Sequence, residues 1–130
     1  MTKKIIKVAI AIVMKEQQVL VALRDPKQHQ GGLWEFPGGK VNSGESFAEA
    51  ALRELEEEVA VIGRDPQLIW QTEHDYGDRV VQLQAFTLSY WRGEAQSKEG
   101  NPIQWIALDK LPQLPMPAAN TELNQLLQTL

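Results

Sequence analysis

The stretch "RELEEEV", Arg53 to Val59, sets four carboxylates (Glu54, Glu56, Glu57 and Glu58) within five consecutive positions. Read as helix, Glu54, Glu57 and Glu58 fall at i, i+3 and i+4, so three of them converge on one patch and repel one another. A glutamate run is ordinarily a solvated helix face. Here the opposite side carries Phe47, Ala51 with Leu52, Leu55 and Val59 at spacings of three and four, a stripe that fixes the helix against a core. The acidic patch is thereby held in place. Converging carboxylates that stay ionised need a counter-charge, and hard divalent cations such as Mg²⁺ or Mn²⁺ take carboxylate and carbonyl oxygens and are commonly shared with substrate phosphates. Zinc would call for imidazole or thiolate ligands, whereas cysteine is absent and His29 and His74 stand in separate segments.

The bulk composition agrees with that reading. A chain of 130 residues, 43% hydrophobic and 23% charged, suits one globular domain built on one core. A formal net charge of −4 argues against a protein that coats a nucleic acid polymer by neutralising phosphates with its own lysines. If the partner is a phosphate compound, a bound cation must supply the positive charge. The absence of cysteine excludes disulfides and fits a reducing compartment. At the N-terminus, "MTKKIIKVAIAIVM" superficially resembles a signal peptide. Its uninterrupted apolar run is short, and "KEQQ" follows where a small-residue cleavage site would be, so a buried first strand is expected. No segment has the length of a membrane span, and a cytoplasmic protein with no membrane partner is expected.

These groups need elements to position them. Ile5 to Lys15 and Val19 to Arg24 are β-branched runs separated by "EQQ" and predict a hairpin. "DPKQHQGG" reads as a surface loop, and "LWEFPGGKVNSGE" as a close-turning loop that leads into a helix from about Ser46 to Val59. Ser46 with Glu49 three residues on forms a capping box. "GRDP" ends the next segment; Leu68 to Glu73, Val80 to Trp91 and "IQWIAL" predict strands. "LPQLPMPAAN" is a proline-broken connection, and Thr121 opens a last helix with Leu123, Leu126 and Leu127 on one side. Trp34, Trp91 and Trp105 are expected at the core or its edge. The order β-β-α-β-β-β-α predicts an α/β fold, a mixed sheet with helices packed against it.

The glycine segment excludes one alternative. "GKVNSGES" scans as a P-loop until Glu45, which stands where that motif's lysine must be. The longer segment "GKVNSGESFAEAALRELEEEVAV", Gly39 to Val61, instead resembles the Nudix box: Gly, five residues, Glu, seven residues, then Arg-Glu-aliphatic-x-Glu-Glu-x-Gly-aliphatic. Gly39, Glu45, Arg53, Glu54, Leu55, Glu57, Glu58 and Val61 fall in register. Ala60 replaces the last glycine, at a cost on the order of 1 kcal/mol if the helix ends left-handed. "LWEFPGGK", "WRGEAQSKEG" and "PAAN" are similar to parts of MutT-type members of the family.

The resemblance implies a Nudix fold, an α/β/α sandwich with a central mixed sheet over residues 1–130. It also implies Mg²⁺-dependent attack of water on a nucleoside triphosphate such as 8-oxo-dGTP, with Mn²⁺ able to substitute, by a monomeric enzyme. Carried over position by position, Glu54, Glu57, Glu58, the Gly38 carbonyl and Glu99 match metal ligands. Arg53 matches the arginine that orients the box carboxylates. Glu54 is favoured as the base, with Glu99 second. Asn120 matches the residue that reads the base, aided by Glu35, Phe36 and Pro37. The hydrogen-bond arithmetic suits it. Guanine presents two acceptors at N7 and O6, oxidation at C8 puts a proton on N7, and one carboxamide then answers both atoms with its oxygen and its NH₂. Arg24, His29 and Arg79 match nucleotide-lining positions, with Tyr76 nearby as a stacking surface. Hydrolysis of CTP or dCTP is the competing specificity. A non-catalytic Nudix module used for lesion recognition or protein binding could lack box carboxylates, and none is missing here.

Overall fold

The computed structural model describes residues 3–25, 27 and 31–130; the expectation for His29 lies outside the described residues. Among the described residues, eight strands and two α-helices follow one another as β1 (Lys4–Ile12), β2 (Met14–Lys15), β3 (Gln18–Leu23), β4 (Trp34–Glu35), β5 (Gly38–Lys40), α1 (Phe47–Val59), β6 (Ile62–Asp75), β7 (Arg79–Arg92), β8 (Ile103–Ala107) and α2 (Thr121–Leu127). Short 3-10 turns occupy Leu108–Gln113 and Ala118–Asn120, within the proline-broken connection.

The main sheet has the order β5-β1-β7-β6. It is mixed: β1 runs parallel to β7 and antiparallel to β5. A second, antiparallel sheet is built on β3, which pairs with β2, β4 and β8. The expected hairpin between Ile5–Lys15 and Val19–Arg24 is therefore corrected. Only Met14–Lys15 pairs with β3, while β1 belongs to the main sheet. A β-branched run carries no mark of where it changes sheets. The strand expected from Leu68 also starts earlier, because "GRDP" lies inside β6. β6 is the outer strand of its sheet, where a proline costs no ladder hydrogen bond.

The period-two pattern of β1 divides the core. Ala9, Ala11 and Val13 pack with Ala50, Ala51, Leu55 and Val59 of α1. Ile10 and Ile12 pack on the other side with Leu123 and Leu127 of α2. Helices on the two faces of the main sheet give the α/β/α sandwich. α1 begins as its sequence dictates: the Glu49 amide donates to Ser46 Oγ, and the Ser46 amide donates back to the Glu49 carboxylate. It ends at Ala60 with φ 62°, so the alanine adopts the left-handed conformation and its N–H still donates to the Glu56 carbonyl. Trp91 and Trp105 stack at the core edge, ring centroids 5.7 Å apart.

Candidate active site

Pairing β5 beside β1 brings a glycine-only backbone under the acidic face of α1. Gly38 stands opposite Ile10 and Gly39 opposite Ala9. A Cβ at Gly38 would lie 2.2 Å from the Ala9 carbonyl oxygen, so only glycine fits. The Gly38 N–H donates to Glu58 Oε2 at 2.9 Å, and Gly39 faces the Glu54 carboxylate.

Arg53 organises the other side of the helix. Its guanidinium donates to both oxygens of Glu45 (2.7 and 3.0 Å), to Glu54 Oε1 (2.9 Å), to Glu57 Oε2 (3.1 Å) and to the Lys40 carbonyl (3.0 Å). This is charge-assisted, forked hydrogen bonding that lysine could not reproduce. It holds the Glu45 carboxyl below its ordinary range, with the Asn42 amide assisting. The expectation that Arg53 supports the box carboxylates thus has a geometry, and only one oxygen of Glu54 is taken by it.

The loop after β7 is fastened to the end of α1. The Gln96 and Lys98 amides donate to the Val59 and Glu58 carbonyls, both at 2.9 Å, and satisfy carbonyls that the helix leaves open. Asn101 Nδ2 donates to the Leu23 carbonyl at 2.8 Å, and Ser97 Oγ donates to the Asn101 carbonyl. Glu99 is thereby brought close enough to Glu58 to disfavour its ionisation. Burial is the largest cause, and the charges of Glu54, Glu99 and Glu35 add to it. Against the opposing Gly38 hydrogen bond, the Glu58 carboxyl is pushed up to about 8.

A cavity of about 550 Å³ joins these parts. Glu54, Glu58 and Glu99 line it together with Gly38, Gly39 and Lys40. Arg24, Glu35, Phe36, Tyr76, Arg79 and Asn120 also line it. Arg24 Nη1 donates to Glu35 Oε2 at 2.9 Å, while its buried Nε finds no partner among the described residues. Burial raises the Glu35 carboxyl, opposed by Arg24. Arg79 lies 4.9 Å over the Tyr76 ring at the turn between β6 and β7, where Tyr76 is half exposed.

Asn120 is the one buried polar residue among the described residues, 7% exposed. It occupies the position before α2 yet makes no capping hydrogen bond with its side chain. Its carboxamide is thus uncommitted to the helix and borders the cavity.

Three expected residues stand apart from this lining: Arg53, whose bonds are given above, Glu57 and Pro37. Glu57 is exposed and bonded to Arg53 at i,i+4, and of the three box glutamates Glu54 and Glu58 line the cavity. Pro37 is buried beneath the wall, and its carbonyl accepts the Ala11 amide at 2.8 Å. Sequence reasoning missed Ser97, Asn101 and the apolar wall of Ile6, Val8, Val81 and Leu83. The alternation in "VVQLQAFTL" carried a signal for that wall, since residues two apart share one sheet face.

The donor chemistry fits a hard divalent cation. Carboxylates and glycine backbone line one cavity, and a cation there would offset both the burial that chiefly lifts Glu58 and the repulsion from Glu54, Glu99 and Glu35. Among the described residues no three acidic or imidazole side chains already converge as a preformed ion site.

Residues 8–126 match the family model of the NUDIX domain. The chain belongs to the Nudix family. It is 37% identical over 102 residues to the 8-oxo-dGTP diphosphatase of Proteus vulgaris, covering 78% of this chain and 91% of the relative. It is 31% identical over 120 residues to the CTP pyrophosphohydrolase of Escherichia coli, covering 92% and 89% respectively. The structure of MutT from Aliivibrio salmonicida and Vibrio cholerae superposes with a TM-score of 0.86 at 27% identity, over 98% of this chain and 100% of that one. Nudix hydrolases generally need a divalent metal. No helix among the described residues is long and apolar enough to cross a membrane.

Proposed function

We propose that this Nudix protein hydrolyses 8-oxo-dGTP to 8-oxo-dGMP and pyrophosphate, removing an oxidised precursor before it can be built into DNA. The observation that carries this reading is one cavity lined both by Glu54, Glu58, Glu99 and glycine backbone and by Asn120, whose carboxamide makes no capping bond. The relatives named 8-oxo-dGTP diphosphatase support the same substrate.

In this reading Glu54, Glu57, Glu58, Glu99 and the Gly38 carbonyl hold Mg²⁺, or Mn²⁺ in its stead. When bound, the cation neutralises the triphosphate and acidifies a water. The chain's own groups do the rest. Gly38 N–H fixes one Glu58 oxygen. Arg53 holds Glu54 Oε1 and leaves Oε2 as the atom that accepts the proton, with Glu99 as the second candidate. Asn120 reads the N7–H and O6 edge, beside the backbone of Glu35 and Phe36. Arg24, Tyr76 and Arg79 line the nucleotide, and His29 joins them by resemblance. The enzyme is proposed to act in the cytoplasm as a monomer of one domain.

A second reading, hydrolysis of CTP, rests on the 31% identical pyrophosphohydrolase. Initial rates of pyrophosphate release from 8-oxo-dGTP, dGTP and CTP at low concentration separate the two. A preference for 8-oxo-dGTP is expected; a preference for CTP would replace the purine assignment.

A further inference from the structure

We propose that Trp70 and Glu122 are positioning residues for base recognition: their hydrogen bond moors the start of α2 and so fixes Asn120 against the cavity. The inference rests on the reading that Asn120 meets the base.

It begins with a fault in β6. Leu68 stands opposite Phe86, but Trp70 stands opposite Ala85, so two residues are used on β6 for one on β7. By the period of two, residues 68 and 70 would share a face; the extra residue, Ile69, reverses that. Phe86 belongs to the cluster under α1, whereas Trp70 and Ala85 belong to the cluster under α2. The bulge therefore turns the indole toward α2, above the small side chain of Ala85.

There the indole Nε1 donates to Glu122 Oε1 at 3.1 Å, across 52 residues of chain. Glu122 lies in the first turn of α2, two residues beyond Asn120. It is the only side-chain hydrogen bond from that turn to the main sheet among the described residues. Asn120 needs an external anchor. It sits on a single 3-10 turn closed by its own amide donating to the Pro117 carbonyl at 2.9 Å, and its side chain makes no capping bond. Leu123 and Leu127, both fully buried, set which face of this short helix points inward, and apolar contact leaves the finer rotation about its axis loosely set. The indole–carboxylate bond is directional and charge-assisted, and it sets that rotation.

The test uses the full chain as Trp70→Phe, Glu122→Ala, Glu122→Gln and Asn120→Ala, with kcat/KM measured for 8-oxo-dGTP and for dGTP. Glu122 is exposed, so its variants fold irrespective of what becomes of Trp70→Phe. Trp70→Phe and Glu122→Ala are expected to lower the preference for 8-oxo-dGTP about tenfold, as sub-ångström misplacement of a recognition group does. Turnover of dGTP stays near the parent's, and Glu122→Gln, which retains an acceptor oxygen, keeps the preference. Hydrogen exchange at the Asn120 amide is expected to quicken in Glu122→Ala and not in Glu122→Gln. An unchanged preference in both Trp70→Phe and Glu122→Ala, while Asn120→Ala loses it, overturns the positioning role. If the parent shows no preference and Asn120→Ala alters nothing, the base-reading assignment fails instead. The tether is then decided by exchange alone, and equal rates in Glu122→Ala and parent refute it.

Discussion

Gly39 faces Glu54 so closely that a methyl group on its Cα would stand 2.6 Å from the carboxyl carbon and 2.7 to 2.8 Å from both oxygens. The glycine that opens the Nudix box is thus a space requirement set by a carboxylate on the neighbouring helix. Gly39→Ala is expected to push Glu54 from its position while the strand pairing survives. Displacement by about 1 Å at a reacting group costs on the order of a hundredfold in kcat. Steady-state kinetics beside a melting curve check this, and kcat within twofold of the parent in a folded Gly39→Ala protein would contradict it.

Arg53 is bonded to three carboxylates and one carbonyl, a set that needs five donors in a plane. Arg53→Lys keeps the charge and loses the fork. Loss of such orienting partners typically lowers activity by about 10- to 100-fold, and kcat is expected to fall in that range. Parental kcat in the Arg53→Lys protein would show that charge alone suffices.

Ala60 holds φ 62° where the family has glycine. Left-handed backbone costs an L-residue roughly 1 kcal/mol, and Ala60→Gly removes that strain at a site outside the cavity lining. Stability is expected to rise by about 1 kcal/mol in denaturant titration, less the entropy that glycine adds to the unfolded chain. Activity should not change. A destabilised Ala60→Gly protein would mean that the strain is relieved by contacts of the methyl group.

Glu58 links pH to metal uptake. Its native carboxyl lies near 8 in the metal-free protein, above the value of 4.5 for an unperturbed glutamate. The native state therefore binds more protons than the unfolded chain between those values. The group's contribution to stability is fully present below the lower value and is lost as pH rises through the upper one. Metal binding must displace that proton, so metal affinity should increase from about pH 6 to 8.5, and near pH 7 binding should release about one proton. Calorimetry in buffers of different ionisation enthalpy measures it. Proton release of zero near neutrality would contradict the burial of Glu58.

Much of the site was legible because it lies in one continuous segment. The capping box and leucine stripe marked α1, and the spacing of Glu54 and Glu58 marked its acidic face. Helical spacing says which side chains are neighbours, and it carried no sign that Arg53 would bond Glu57 Oε2 as well as Glu54. β1 was joined to the wrong sheet because Val13 and Met14 look no different from the run before them. Asp65 and Pro66 resembled a turn and instead lie within an outer strand, where Asp65 adopts φ 52°. The bond from Trp70 to Glu122 had no local signal at all, since it depends on a register shift between two strands.

On the proposed reading, Asn120 recognises an oxidised purine while the carboxylates lining the same cavity handle the phosphates. That division of labour is measured by the ratio of kcat/KM for 8-oxo-dGTP to that for dGTP, in the parent and in Asn120→Ala, at saturating Mg²⁺. A parental preference of about a hundredfold or more is expected, collapsing toward unity in Asn120→Ala with dGTP hydrolysis little altered. Equal ratios in the two proteins would refute the assignment of Asn120.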